Sequence, residues 1–305
     1  MTEIIAIATP HGQFAYSPTA PPCATILPGV TVRVATRDPR SGALIVGPPG
    51  TFQPYPPPPG GRTNALTGPI RIEGAEPGDV LAVDVRDIAL RPPGYMAASD
   101  AGLVVPRGRV GESLIGVVDV QDGHVVWREG LRIPCRPMVG EIGVADPSEP
   151  RSGAVGRFGG NMDHAVLGAG CRVYLPVFVP GALLYIGDVH AAMGDGELSG
   201  GGVEIAAEVT CTIGLVRHRS LLAPRMETAD RVITVGWGRD FAVARGMVVE
   251  DMLRILETRL GMRAVEALMW ISAAGDLRVG QACGSMDMTL RLQMPKRWPQ
   301  LTAAP

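Results

Sequence analysis

The chain has 305 residues, of which 46% are hydrophobic and 19% are charged. A hydrophobic fraction of this size supplies a sizeable core, which excludes disorder over most of the length. The formal net charge of −2 at pH 7 gives no electrostatic footprint for nucleic acid or for an anionic membrane surface, so we expect neither partner.

The first segment, MTEIIAIATPHGQF, lacks the basic region and the long apolar run of a secretory signal. No stretch approaches the roughly 18 consecutive apolar residues that a membrane-spanning helix needs. The 5 cysteines are scattered, odd in number and never spaced as CxxC, a pattern typical of reduced thiols. These features predict a cytoplasmic location.

The 40 glycines and 28 prolines favour short strands joined by tight turns. Pro-Gly pairs at 28–29, 77–78 and 180–181 each precede a run of β-branched and apolar residues. After the second pair, the alternation of Leu81, Val83 and Val85 with small or charged residues predicts a strand with one buried face. The segment TFQPYPPPPGG is too rich in proline for a helix or a central strand and predicts a surface loop.

Helical periodicity is convincing only after about Gly246. In MVVEDMLRILETRLG, Val248, Met252 and Ile255 share one face, and Gly261 predicts the end of the helix. A second helix is predicted in AVEALMWISAAG, and the tail DLRVGQACGSMDMTLRLQM returns to strands. We therefore predict a mainly β fold, with a β-sandwich or barrel region at 1–215 and a smaller α+β portion at 216–305.

Chemistry-bearing residues are concentrated between Gly156 and Glu208. Asp188 and His190 lie on the same face of a predicted strand, and Asp195 and Glu197 follow in a glycine-rich turn from which they can swing back towards the same point. One imidazole with several carboxylates suits Zn²⁺, Mn²⁺ or another divalent ion. The same residues are also typical turn formers, so the spacing alone leaves a metal site and simple turn chemistry open.

The upstream pair Asp163-His164 adds one further candidate. Successive side chains in an extended chain point to opposite faces, so only one of the two reaches a shared site, and we choose Asp163. The predicted metal ligands are therefore Asp163, Asp188 and His190, with zinc as the favoured ion and Ca²⁺ as the alternative. A bound ion would polarise a carbonyl and activate water, which leaves a spare carboxylate as the general base.

Elimination narrows the chemistry. Lys296 is the single lysine among the 28 basic residues, which excludes almost any mechanism that needs a buried lysine. No GxSxG motif is present, so a serine nucleophile on an α/β-hydrolase turn is unsupported. No cysteine stands beside a histidine in the sequence. Metal-activated water and a carboxylate acting directly as base remain.

The stretch GGNMD followed by LPVFVPGALLYIGDVHAAMGDGE resembles the core motif of the acetamidase/formamidase family. LTGPIRIEGAEPGDVLAVDVRDI before it and SAAGDLRVGQ after it also resemble that family, in the same order, so the likeness covers most of 29–293. The length suits the shorter, acetamidase-like branch. The resemblance implies hydrolysis of small amides to ammonia and a carboxylate, a mainly β fold, a divalent metal, and homodimers or higher homo-oligomers.

The resemblance also implies site residues. Besides the three metal ligands, it places Asn161, Asp195 and Glu197 at or near the active site as catalytic residues, with Asn161 binding the substrate or orienting Asp163. Met193 stands where the family usually carries glutamine, which predicts a more apolar pocket and a larger amide or a lactam as substrate. His11 lies near two aromatic residues and is a second candidate to line the pocket.

Two alternatives remain. One is a hydrolase of the same fold that acts on a lactam or another amide. The other is a non-catalytic β-sandwich binding protein whose acidic cluster holds a structural Ca²⁺, since oxygen ligands dominate. A structural Ca²⁺ would leave no open coordination position, whereas a catalytic Zn²⁺ keeps one for water.

Overall fold

The computed structural model describes residues 4–8, 12–56, 59–101, 104–128, 130–284 and 287–305. The chain is 43% strand and 11% helix and forms a curled antiparallel sheet, a half-barrel, with two helices near its C-terminal end. The predicted mainly β fold with a smaller helical portion is confirmed. No helix in the described ranges is long and apolar enough to cross a membrane.

The strands of the first half are β1 (Ile5–Ile7), β2 (Ala24–Ile26), β3 (Val30–Thr36), β4 (Phe52–Pro54), β5 (Leu66–Ile72), β6 (Val80–Ala98), β7 (Leu114–Gln121), β8 (His124–Arg128), β9 (Leu131–Pro134) and β10 (Met138–Val144), with a 3₁₀ turn at Pro59–Gly61. They are followed by β11 (Val155–Gly156), β12 (Gly159–Asn161), β13 (Arg172–Pro176), β14 (Leu184–His190), β15 (Glu204–Val216), β16 (Arg225–Glu227), β17 (Arg231–Gly238), α1 (Phe241–Leu260), α2 (Ala264–Ala274), β18 (Asp276–Val279) and β19 (Met288–Pro295).

The backbone of the sheet is the pair of long strands β6 and β15, which run antiparallel from Glu204 opposite Tyr95 to Val216 opposite Val80. The predicted alternation in β6 is confirmed, because Leu81, Val83 and Val85 are at most 1% exposed and pack into the main core. Strand β3 pairs with the other edge of β15, and β13 pairs with β6. These pairings curl the sheet around one apolar interior.

Both predicted helices are present, and α1 begins six residues before the predicted stretch, at Phe241. Asp240 caps it by accepting a hydrogen bond from the Ala242 N–H, and Gly261 ends it with φ 65°. The buried face of α1 packs on β17 and β19 in a second core that includes Val248, Met252 and Leu256.

The division of the chain at residue 216 stays a prediction. Strand β16, after this boundary, pairs with β13, before it, so one sheet continues across the division. The proline-rich segment begins with the short strand β4, which pairs with β7 alone among the described strands. Its prolines 57 and 58 lie outside the described residues.

Strand β14 positions the site. It lies between β10 and β5, and every one of its seven residues is buried. Its last residue, His190, pairs with Glu204 at the start of β15. The carboxyl end of β14 is therefore the point where β10, β14 and β15 meet inside the protein.

Candidate metal centre

Five side chains converge at the end of β14. The ligand atoms of Asp163, His190 and Glu197 lie within 4.8 Å of one another, and so do those of Asp188, His190 and Glu204. His190 belongs to both groups, so we call these five residues the His190 cluster. None of them is more than 7% exposed.

Within the cluster, the imidazole of His190 lies at ion-pair distance from two carboxylates. His190 Nε2 is 3.2 Å from Glu204 Oε2 and 3.6 Å from Asp188 Oδ1. Each of these three atoms nevertheless lacks a hydrogen-bond partner of proper geometry among the described residues, as do Asp163 Oδ1 and Glu197 Oε2. Buried ionisable groups without partners cost several kcal/mol, roughly, unless a counter-charge or metal compensates them. The donor set and its unmet hydrogen bonds fit a divalent cation.

Three carboxyl groups of the cluster also have raised pKa values, as expected for buried carboxylates that lie close together. Burial raises the pKa of Glu197 to about 8; the nearby carboxylates also raise it, whereas the charge of His190 lowers it. Burial likewise raises the pKa of Glu204 to about 7. Burial and the charge of Glu197 also raise the pKa of Asp163. For His190, burial lowers the pKa, but the surrounding carboxylates, Glu204 first, outweigh it and raise the pKa above its ordinary value. Without a cation, the cluster therefore retains protons at neutral pH.

Three members of the cluster hold left-handed backbone conformations: Asp163 at φ 48°, Asp188 at φ 53° and Glu197 at φ 46°. Non-glycine residues seldom adopt this region, and strained cases cost about 1–3 kcal/mol each. Asp188 therefore departs from the regular strand alternation that the sequence predicted, yet its side chain still faces His190. In these conformations the ligand atoms of all three residues lie close to the His190 ring.

Glycine makes room for two of these carboxylates. A Cβ atom added to Gly140 in β10 would stand 2.5 Å from Asp163 Oδ1 and 2.8 Å from the Asp188 carbonyl oxygen. Any other residue at 140 would displace them. Gly202 plays the same part for the His190 ring, whose Nδ1 would lie 2.8 Å from an added Cβ.

Two asparagines orient the carboxylates. Asn64 Nδ2 donates to Asp188 Oδ2 and to Asn161 Oδ1, both at 2.9 Å, and Asn161 Nδ2 donates to Asp163 Oδ2 in a short hydrogen bond. Gln281 Nε2 in turn donates to the Asn161 carbonyl oxygen at 2.9 Å. The contact of Asn161 with Asp163 matches one of the two roles expected for it, and its part in catalysis stays a prediction.

Sequence reasoning assigned no role to Asn64, Glu141 or Glu204. Glu141 lies fully buried behind the cluster, where Tyr16 donates to its Oε1 at 3.0 Å, and burial raises its pKa to about 8. A glutamate inside the apolar run MVGEIGV was the available signal for this site. Glu204 was visible as an acidic residue, but its register opposite His190 was not.

Asp195 lies apart from the cluster. Both of its carboxylate oxygens accept hydrogen bonds from Arg291 Nη2, at 2.8 and 2.9 Å. The next residue, Gly196, exchanges backbone hydrogen bonds with Gly280 and Ala282. Asp195 therefore does not approach Asp188; it pairs with Arg291 and holds the loop that carries Glu197. The catalytic role of Asp195 stays a prediction.

His164 points away from the cluster, as its position next to Asp163 predicted. Its ring is fully buried beside Gly280 and Thr289, and burial lowers its pKa well below the ordinary value. Neither ring nitrogen has a hydrogen-bond partner within the described part of the chain.

A cavity of about 480 Å³ opens beside the cluster and contains both Met193 and Glu197 in its lining. A larger cavity of about 870 Å³, lined by Phe14, Arg62 and Arg151 among others, contains no cluster residue. The smaller cavity is therefore the one that opens onto the His190 cluster. The other candidate pocket residue, His11, lies outside the described residues.

Comparison with known proteins shows which family this chain resembles. The profile described as "Acetamidase/Formamidase family" matches residues 8–152 and 149–232, which together exceed half of the chain. A putative formamidase of Schizosaccharomyces pombe is 29% identical over 216 residues, which cover 52% of this chain and 53% of that protein. The chain thus spans about half the length of the curated relatives it matches.

Solved structures agree on the fold. An acetamidase from Bacillus halodurans superimposes with a TM-score of 0.89 and 33% identity, covering 95% of this chain and 97% of the other. A gamma lactamase from Delftia acidovorans superimposes with a TM-score of 0.64 and 20% identity over 97% of this chain and 90% of its own, which shows a shared fold alone.

The raised pKa values predict how stability depends on pH. The carboxyl groups of Glu197 and Glu204 have folded-state pKa values of about 8 and about 7, above those of an unfolded chain, so the folded state binds more protons between about pH 4.5 and 8. The free energy of unfolding of the metal-free protein should therefore fall as the pH rises through this window. Thermal unfolding of chelator-treated protein from pH 4.5 to 8 measures it.

Saturating divalent ion should remove much of this fall, because a cation replaces the bound protons. Glu197→Gln should reduce the slope, whereas Glu250→Gln, at an exposed helix position paired with Arg254, should retain it. Identical slopes in Glu197→Gln and the unaltered protein would contradict the account.

Proposed function

The chain belongs to the acetamidase/formamidase family, and from that premise we propose that it hydrolyses small amides to ammonia and a carboxylate, with a divalent ion held by the His190 cluster. One observation carries the proposal. Two groups of three buried ligand residues share His190, and their unpaired ligand atoms lie beside a cavity that a small organic molecule can enter.

Zinc is the proposed ion. One imidazole with several carboxylates is a donor set that zinc accepts while keeping a position open, and the ligands we propose are Asp163, Asp188 and His190, with Glu204 beside them. Once bound, a divalent ion supplies Lewis acidity towards the amide carbonyl and lowers the pKa of water. Ca²⁺ is the alternative, because oxygen atoms outnumber nitrogen in the cluster.

Glu197 is the proposed general base, since it belongs to the cluster and also lines the cavity. Its Oε2 atom has no partner within the described ranges and is free to take a proton from the attacking water. As the C–N bond breaks, the same carboxyl group returns that proton to the departing nitrogen, which leaves as ammonia. The carboxylic acid product then gives up its own proton to the ammonia or to solvent, and a carboxylate remains.

Asn161 and Asp195 act through other residues in this proposal. Asn161 fixes the orientation of Asp163 by donating to its carboxylate. Asp195 holds the loop of Glu197 through its ion pair with Arg291, which is itself only 7% exposed at the side chain. Both are therefore positioning residues, a more restricted role than the direct catalysis expected from the sequence.

Met193 contributes an apolar wall. It lines the cavity that Glu197 enters, and a thioether provides neither a strong donor nor a strong acceptor for a primary amide. We propose that the substrate carries an apolar group larger than that of formamide, and a lactam belongs to the same class. A cytoplasmic location and assembly into homodimers or higher homo-oligomers complete the proposal.

Purified protein is expected to release ammonia from short aliphatic amides and to lose this activity when divalent metal is stripped. Ammonia is measured before chelation, after chelation, and after zinc is restored. Full activity in protein shown to be free of metal would overturn metal assistance. Bound calcium with no ammonia from any amide would support the non-catalytic alternative.

His190→Asn is expected to lower kcat/KM by about 100-fold or more, because it removes the one nitrogen ligand that both groups of the cluster share. His218→Asn is the matched control: His218 is exposed and holds φ 54°, a conformation that asparagine tolerates. Circular dichroism checks folding, and metal content is measured for both variants. Equal, small losses of activity would place the site elsewhere.

A further inference from the structure

The cavity beside Glu197 is larger than a short amide requires. Acetamide has four non-hydrogen atoms and occupies on the order of 100 Å³, at about 30 Å³ per water-sized group, whereas the cavity measures about 480 Å³. Its lining is mostly apolar and includes Met96, Ile133, Pro134, Met193, Leu198 and Val203. Each methylene buried against such walls strengthens binding by about fourfold.

One cationic group interrupts this apolar lining. Arg136 lies between β9 and β10, and its backbone N–H donates to the Ala191 carbonyl oxygen at 2.8 Å, which fixes the residue beside the loop that carries Glu197. Arg136 lines the cavity and is exposed. Within the described ranges its guanidinium has neither a salt bridge nor a side-chain hydrogen bond.

Neighbouring arginines differ from Arg136 in this respect. Arg132, four residues earlier on β9, donates to the Gln121 carbonyl oxygen at 3.1 Å and lies 3.9 Å from Asp122. Arg291 donates through Nη2 to Asp195 and through Nη1 to the Val279 carbonyl oxygen. The cavity lining contains two acidic residues, Asp195 and Glu197. Asp195 is paired with Arg291, so it does not occupy the Arg136 guanidinium. Arg136 is therefore the cation in this lining that can bind a ligand.

This inference rests on the proposed function and names its substrate class. We propose that the preferred substrates are linear primary amides that carry a carboxylate at their far end, that is, monoamides of short dicarboxylic acids. The amide lies at Glu197, the methylene chain lies against Met193 and Ile133, and the carboxylate pairs with the Arg136 guanidinium. Guanidinium binds a carboxylate through two parallel hydrogen bonds, which gives both affinity and orientation.

The test uses pairs of amides matched in chain length: butanamide with succinamic acid, pentanamide with glutaramic acid, and hexanamide with adipamic acid. Ammonia release gives kcat/KM for the zinc-loaded protein, for Arg136→Gln and for the control Arg132→Gln, which changes an arginine four residues earlier in the chain. In the unaltered protein, the carboxylate member of at least one pair should be favoured by about tenfold or more, consistent with one charge-assisted hydrogen-bonded contact. Arg136→Gln should lower that ratio about tenfold, and Arg132→Gln should leave it unchanged.

If the preference for the carboxylate-bearing amide over its neutral partner weakens as the ionic strength is raised, this would support a charge contact at the exposed Arg136. Ammonia release from neutral amides without any preference for their carboxylate partners would overturn the inference and leave the proposed function standing. An equal preference in Arg136→Gln would also overturn it. No ammonia from any member of the panel would overturn the proposed function together with the inference.

Discussion

Four carboxylates and one imidazole cannot share a buried point in an apolar sheet unless their charges are balanced. Asp163, Asp188, Glu197 and Glu204 surround His190, and none is accessible enough for water to screen it. The imidazole alone can offset at most one negative charge. The cluster must therefore bind either protons or a cation, and the raised pKa values describe the first of these two states.

The rest of the molecule supports that cluster. The long strands β6 and β15 place Glu204 at the start of β15, and β10 contributes the glycine that leaves space for two carboxylates. The C-terminal strands reach the same place from the other side. Thr289 donates to the Met162 carbonyl oxygen at 2.7 Å, and Gln281 donates to that of Asn161 at 2.9 Å. The smaller C-terminal portion thus completes the wall behind the site.

The sequence predicted those parts of the fold that depend on local pattern. Alternation identified the buried face of β6, helical periodicity identified α1 and α2, and Asp188 with His190 suggested a shared strand face. Glu204 could not be placed, because its approach to His190 depends on the register between β14 and β15. The ion pair of Asp195 could not be predicted, because its partner, Arg291, lies 96 residues away in the chain and no local pattern links them.

Anomalous X-ray diffraction at the zinc edge, from crystals of the zinc-loaded protein, would show whether the His190 cluster binds a divalent cation. We expect one strong peak inside the protein, about 2.0–2.2 Å from a ring nitrogen of His190 and from carboxylate oxygens of the cluster. Fully loaded crystals in which zinc is found only at surface positions, with the cluster empty of anomalous signal, would contradict it.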